Sequence, residues 1–263
     1  MSLFALAASR LRRCLRGGGL PAGARSRLRA VWVGPLIFGL LSGTAHAQAY
    51  QCRAPQGPLA IPDIAPDGPE RRMAISGYTL ALSWSPEFCR QRSTQGAHRQ
   101  QCSGAGGRFG FVVHGLWPEG AAGRWPQWCA ARRKLSANTA RAHLCMMPST
   151  RLMAHEWAKH GSCMVRTPES YLKVTAILWN SLHLPDLDRL SRQDGLTAGT
   201  IRQAFAEANG RHWTPAMVGI DTSRNGWLEE LRLCYGRDFM PKACERRRIG
   251  PPDAAPLNIW RGL

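Results

Sequence analysis

The chain has 263 residues, with 35 Lys and Arg against 17 Asp and Glu and a formal charge of +18. A protein this basic is drawn to polyanions, but nucleic acid, anionic lipid and a cell-wall polymer would all satisfy that charge. No internal repeat or low-complexity block occurs, and none of the nine cysteines forms a C-x-x-C pair, so zinc ribbons and thioredoxin-like redox chemistry have no support.

Residues 1–47 read as a secretory signal peptide. Seven arginines between Arg10 and Arg29 form a basic region without an acid, an apolar run follows from Val31 to Leu41, and Ala45-His46-Ala47 supplies a small-x-small cleavage site. The apolar run is eleven residues long and contains Pro35, too short to span a bilayer. Cleavage after Ala47 leaves about 216 residues, enough for one domain with a real core, and lowers the charge from +18 to +11. It also removes Cys14. The remaining eight cysteines, in an exported chain, read as a disulfide framework of up to four bridges, for which sequence alone allows 105 connectivities. The expected location is the periplasm or the medium.

Residues 48–72 are rich in Pro, Gly and Asp and read as an irregular N-terminal arm. Residues 73–245 are the expected catalytic domain. Its first element is a central strand, Tyr78 to Trp84, ended by Pro86. Glu87 to Arg108 is polar and Gly-rich, a loop, and Phe109 to His114 is a second buried strand with His114 where it emerges. A loop follows from Glu119 to Cys129, then a helix over Leu135–Leu144 with Ser136 as its start. Ser149 or Thr150 caps the next helix, which Gly161 ends. Pro168 opens a helix through about Leu182, with Tyr171, Val174, Leu178 and Leu182 on one stripe. Thr197 or Thr200 caps another through Ala208, stopped by Asn209-Gly210. Ala216–Asp221 and Trp227–Tyr235 read as two strands joined by a turn, and residues 246–263 as a basic, Pro-rich surface tail. This is an α+β domain, helices packed on a mostly antiparallel central sheet.

The helix capped by Ser149 or Thr150 carries His155-Glu156-Trp157-Ala158-Lys159-His160-Gly161. At 100° per residue, His155 and Lys159 lie about 40° apart, as do Glu156 and His160, so four polar groups share one face of about 140°. Lys159 is one of only four lysines in the chain. The stretch resembles the zinc motif H-E-x-x-H, but there the histidines are four apart on one face. Here they are five apart, and joint ligation of one ion is disfavoured. An exposed polar helix face would also account for the cluster taken alone. Upstream, Phe111-Val112-Val113-His114-Gly115-Leu116-Trp117-Pro118 places another histidine at the end of a short apolar run.

Together the two stretches resemble the active-site segments of the RNase T2 family, the S-like acid ribonucleases, which carry H-G-L-W-P and H-E-W-x-K-H-G. Both stand here without a mismatch and in the family's order, and the resemblance continues more loosely from about Tyr78 to Cys244. It implies the same α+β architecture and an endoribonuclease that needs no metal or cofactor. It also implies bridges Cys89–Cys102, Cys129–Cys163 and Cys234–Cys244, which leaves Cys52 with Cys145.

The residue types suit that chemistry. RNA carries its own nucleophile, the 2′-hydroxyl, so cleavage needs a base for its proton, an acid for the departing 5′-oxygen, and positive charge at the phosphorane. Two imidazoles can divide the first two tasks at mildly acidic pH, and an ammonium serves the third. The resemblance casts His160 as general base and His114 as general acid, His155 as a phosphate holder, and Lys159 with Glu156 as the pair that stabilises the phosphorane. Glu156, one turn before His160, is also placed to orient its imidazole. Trp117 and Trp125 resemble the family's base-stacking aromatics. Glu119 falls one residue later than the family's acidic base contact, and Leu152 stands where relatives carry an aromatic at a second base subsite. The expected partner is RNA, bound by a monomer without a membrane span. Two readings from other classes stay open: a secreted basic protein that holds a polyanion without cutting it, and a metal-dependent phosphodiesterase, which would need a carboxylate cluster this sequence lacks.

Overall fold

The computed structural model describes residues 49–50, 52–130 and 133–262; the expected signal segment lies outside them. In chain order the strands are β1 (Ala49–Tyr50), β2 (Gly77–Trp84), β3 (Arg108–Phe109), β4 (Phe111–Glu119), β5 (Val218–Thr222) and β6 (Leu228–Tyr235). The helices are α1 (Ser85–Cys89), α2 (Arg99–Cys102), α3 (Ala137–His143), α4 (Thr150–Lys159), α5 (Pro168–Asn180), α6 (Leu187–Leu190), α7 (Ala198–Asn209) and α8 (Arg246–Ile249). Among the described residues no helix is long and apolar enough to cross a membrane.

The central sheet is antiparallel throughout, in the order β4-β2-β6-β5, and β1 pairs with β3 apart from it. Period-two alternation decides what each face carries. Leu80 and Leu82 on β2 stand opposite Leu233 and Leu231 on β6 and join Phe111, Val113, Val218 and Ile220 in the buried core. The other face takes Ser83, Glu230 and Arg232. Helices α4, α5 and α7 add Met153, Trp157, Tyr171, Leu172, Ile201 and Phe205 to the same core. Side-chain oxygens start them: Ser149 accepts from Leu152 N–H, Thr167 from Ser170 N–H and Thr197 from Thr200 N–H. Ser136 does the same for α3.

Strand β4 departs from the sequence-based expectation. It does not end at His114 but continues to Glu119, and Phe109 belongs to the separate pairing with Ala49. Gly115 and Pro118 look like breakers in sequence, yet β4 is an edge strand, where a proline without N–H breaks no interior ladder. The register of β2 on β4 shifts between Ala81 and Leu82: Leu82 faces Val113 and Ala81 faces Gly115. His114 is the extra residue of a β-bulge. Strict alternation would put His114 and Trp117 on opposite faces; the extra residue puts Gly115 and Trp117 on the face that His114 and Val112 already share.

The region expected as one loop, Glu87 to Arg108, contains part of α1 and all of α2. Four disulfides join Cys52 to Cys145, Cys89 to Cys102, Cys129 to Cys163 and Cys234 to Cys244. The surface tail expected over 246–263 is not one. Leu257 and Ile259 are buried in the core, Leu257 N–H donates to Leu196 O at 2.9 Å, and Trp84 Nε1 donates to Trp260 O at 2.6 Å. Arg202, fully buried in α7, holds the same segment through Ile249 O (2.6 Å), Pro251 O (2.7 Å) and Asp253 Oδ1 (2.5 Å). High arginine and proline content hid a short apolar alternation that closes the core.

Candidate active site

The arc of polar groups on α4 divides into two pairs, as the 40° spacing requires. Glu156 and His160 turn toward β4. There the bulge presents His114, whose Nδ1 donates to Glu230 Oε2 at 2.7 Å and whose Nε2 stands 3.8 Å from Glu156 Oε1. His160 Nε2 lies 4.0 Å from the other oxygen of the same carboxyl, which also accepts from Trp117 Nε1 at 2.8 Å. The Trp117 ring contacts both imidazoles, 5.2 Å from His114 and 5.8 Å from His160. Gly115 makes this possible. A Cβ there would lie 2.6 Å from Trp117 Nε1 and 2.8 Å from the carboxyl carbon of Glu156.

Burial acts downward on both histidines, and the charges around each drive them apart. For His114, the hydrogen bond that Nδ1 donates to Glu230, with the charges of Glu156 and Glu230, outweighs burial and raises the imidazole above its ordinary value. For His160 burial and the nearby cations Lys159, His155, His114 and Arg248 all act downward, to about 3. Its Nδ1 is buried without a hydrogen-bond partner. Glu156, wholly enclosed, is pushed up to about 7 by burial, so its contact with His160 is not an ion pair at mildly acidic pH. Glu230 goes the other way: burial opposes its charge, but His114 and Arg232, the latter at 2.9 Å, hold it ionised.

His155 and Lys159 turn toward the N-terminal arm. Lys159 Nζ donates to Asp67 Oδ2 at 2.9 Å, His155 Nε2 stands 3.9 Å from the same atom, and Trp128 Nε1 donates to Asp67 Oδ1 at 3.0 Å. Lys159 chiefly depresses the Asp67 carboxyl, while burial and then Lys159 lower His155. A cavity of about 800 Å³ opens on His114, Trp117 and His155, with Arg151 and Leu152 on its wall. Lys159, Glu156, His160 and Trp125 are not among its lining residues. Among the described residues, no three His, Cys, Asp or Glu side chains stand together to share a metal ion.

Trp117 and Trp125, expected as stacking aromatics, are each engaged. Trp125 Nε1 donates to Gln127 Oε1 at 3.1 Å, and the Cζ of Arg248 on α8 stands 5.7 Å from the Trp117 ring and 5.9 Å from that of Trp125. Glu119 is buried at the end of β4, where Oε1 accepts from Thr79 Oγ1 (2.7 Å) and pairs with Arg248 (2.7 Å), and Oε2 accepts from Arg247 (3.0 Å).

Sequence reasoning missed Glu230, Asp67 and Arg248. For Glu230 a signal existed: Glu230 and Arg232 lie two apart on a strand whose Leu231 and Leu233 are apolar, so both charges must share the opposite face. Its partner is 116 residues away, and no local pattern names it. Asp67 and Arg248 lie in segments without periodicity.

The family model described as the Ribonuclease T2 family matches residues 76–244. A protein of Haemophilus influenzae named "Probable ribonuclease" is 31% identical over 191 residues, 68% of this chain and 65% of that protein. A "Ribonuclease" of Aeromonas hydrophila is 43% identical over 86 residues, 33% of this chain and 36% of that one. The chain therefore spans less than two thirds of either relative. Among solved structures trichomaglin, described as a novel S-like ribonuclease, superposes with a TM-score of 0.57 at 21% identity, over 71% of this chain and 98% of its own.

Proposed function

The chain belongs to the ribonuclease T2 family, and from that premise we propose that it is an exported endoribonuclease cleaving single-stranded RNA by transphosphorylation, without metal. The observation that carries this reading is one buried carboxyl flanked by two imidazoles whose proton affinities are driven in opposite directions. At mildly acidic pH, His160 is neutral and takes the proton of the 2′-hydroxyl as that oxygen forms its bond to phosphorus. His114 is charged and gives its proton to the 5′-oxygen as the P–O5′ bond breaks. The product is a 2′,3′-cyclic phosphate. Its opening by water reverses the two roles and leaves a 3′-phosphate.

Glu230 acts on this chemistry through His114. It accepts from Nδ1, so Nε2 is the nitrogen left to face substrate. Glu156 retains its proton to near neutrality and can donate to a non-bridging phosphoryl oxygen, and Trp117 fixes its carboxyl. His155 faces the cavity as a phosphate contact, and Lys159 contributes positive charge from beside it. Eight disulfide-bonded cysteines favour an oxidising location, periplasm or medium.

Replacing either imidazole by a ring without nitrogens tests the assignment. His114→Phe and His160→Phe should each abolish nearly all cleavage while the fold, followed by circular dichroism, persists. Robust cleavage by either variant would overturn it. RNA binding without cleavage by the native protein would instead favour a polyanion-binding role.

A further inference from the structure

The cavity continues well past the groups that the chemistry uses. His114 stands on β4, Ser83 on β2, Glu230 and Arg232 on β6, and Asp221 on β5, and all five line its wall. Neighbouring strands are about 4.8 Å apart, so three steps across the sheet carry the cavity about 14 Å from His114. Its volume of about 800 Å³ lies toward the upper end of single-ligand sites, roughly 300–1,000 Å³.

The far end is built from groups with no part in proton transfer. Trp227, half-buried at the turn into β6, is held by Arg90, whose Cζ lies 4.7 Å from its ring and 4.4 Å from that of Trp260. The two indoles meet edge to face at 6.0 Å. Glu87, also on the cavity wall, has a buried oxygen that accepts no hydrogen bond, though it is ion-paired with Arg90 Nη1 at 3.5 Å. This end thus has an aromatic ring packed against Arg90 and a carboxylate oxygen without a hydrogen bond. It has no excess of positive charge, with Arg90, Arg92 and Arg232 against Glu87, Asp221, Glu229 and Glu230. A wall without net positive charge does not suit a ligand that is mostly phosphate. It suits a flat, uncharged base that stacks on the indole and offers an N–H to Glu87.

We infer that this end is a remote nucleotide subsite, in which Trp227 stacks a base of single-stranded RNA lying beyond the two nucleosides that flank the cleaved bond. The inference rests on the ribonuclease reading for its substrate, though binding tests it separately from cleavage. The Trp227→Ala variant is compared with native protein on a dinucleotide and on a hexanucleotide of RNA, and for affinity to a 2′-O-methyl hexanucleotide, which cannot be cleaved. The expected result is unchanged kcat/KM on the dinucleotide and a fall of about 5- to 150-fold on the hexanucleotide, the loss of one stacked base. Affinity for the 2′-O-methyl RNA should fall by a similar factor, and equally at low and high salt. Trp227→Phe, which keeps a stacking ring, should recover most of both. Equal losses on dinucleotide and hexanucleotide would make Trp227 a purely structural residue, and no loss on either would leave this end without a role. If native protein cuts no RNA, the cleavage reading fails by itself. The 2′-O-methyl affinities of native, Trp227→Ala and Trp227→Phe protein still decide the subsite.

Discussion

Gly115→Ala should separate catalysis from folding more cleanly than deletion of a catalytic group, because it adds one carbon and removes nothing. The new Cβ would collide first with Glu156 Oε2 and would lie 2.8 Å from the carboxyl carbon behind it, whereas ordinary contact begins at 3.4 Å. Glu156 must therefore withdraw by at least about 0.6 Å from that atom alone, and Trp117 Nε1, at 2.6 Å, must give way too. Neither can move freely, since Glu156 is fully enclosed and each holds the other at 2.8 Å. Overpacking of this kind costs about 1–3 kcal/mol, which in a domain of this size lowers Tm by a few degrees to about 10 °C. Displacement of a positioned group by about 1 Å costs on the order of 100-fold in rate. The assay is kcat/KM on a short RNA alongside thermal unfolding. Gly96→Ala serves as control, because a Cβ there meets nothing within 4 Å. Activity of Gly115→Ala within about twofold of native would refute the claim that the Glu156–Trp117 contact positions the site.

Three further outcomes follow from the electrostatics and the bridges. Glu230→Gln removes the carboxylate that holds the His114 proton, so the alkaline limb of the pH–rate profile should move to lower pH; an unmoved limb would mean that Glu230 does not tune this group. Between about pH 6.5 and 4.5 the native state favours a proton on Glu156, which gains stability as pH falls. It refuses one on His160, which loses stability over the same range. The two offset, so Glu156→Gln should make unfolding by urea more sensitive to acid by up to about 1.4 kcal/mol per pH unit, and a slope equal to the native one would contradict the raised proton affinity of Glu156. Replacing Cys52 and Cys145 by Ala opens a bridge spanning 93 residues and should lower stability by about 2–5 kcal/mol in the same assay, against no change if the arm is already held by other contacts.

Helices α3, α4, α5 and α7 were legible because their starts are written locally: Ser136, Ser149 and Thr197 bond the first turns of α3, α4 and α7, and Pro168 opens α5, whereas the short α1, α2, α6 and α8 were not. The pairing of polar groups on α4 followed from helical geometry alone. The course of β4 was not legible. Gly115 and Pro118 signal a break in one dimension, and only the position of β4 at the sheet edge makes them acceptable. The bulge at His114 is equally invisible from sequence, since it is set by pairing with β2 and by outside partners: Val113 N–H donates to Met146 O at 2.9 Å and Leu116 N–H to Tyr171 Oη at 3.0 Å. Composition misled at both ends of the domain. The arm supplies Asp67 to Lys159, and the arginine-rich end supplies Arg248 to Trp117 and Trp125.

The most direct measurement is cleavage of a short RNA and its all-deoxy counterpart by the mature, oxidised protein, with excess EDTA, at pH 5 and pH 7, with products identified by mass. Cleavage of RNA alone, leaving termini with the cyclic-phosphate mass, is the result expected of the proposed mechanism, in which the 2′-hydroxyl is the nucleophile and His114 and His160 move the protons. Cleavage that EDTA abolishes, or equal cleavage of the deoxy strand, would contradict it.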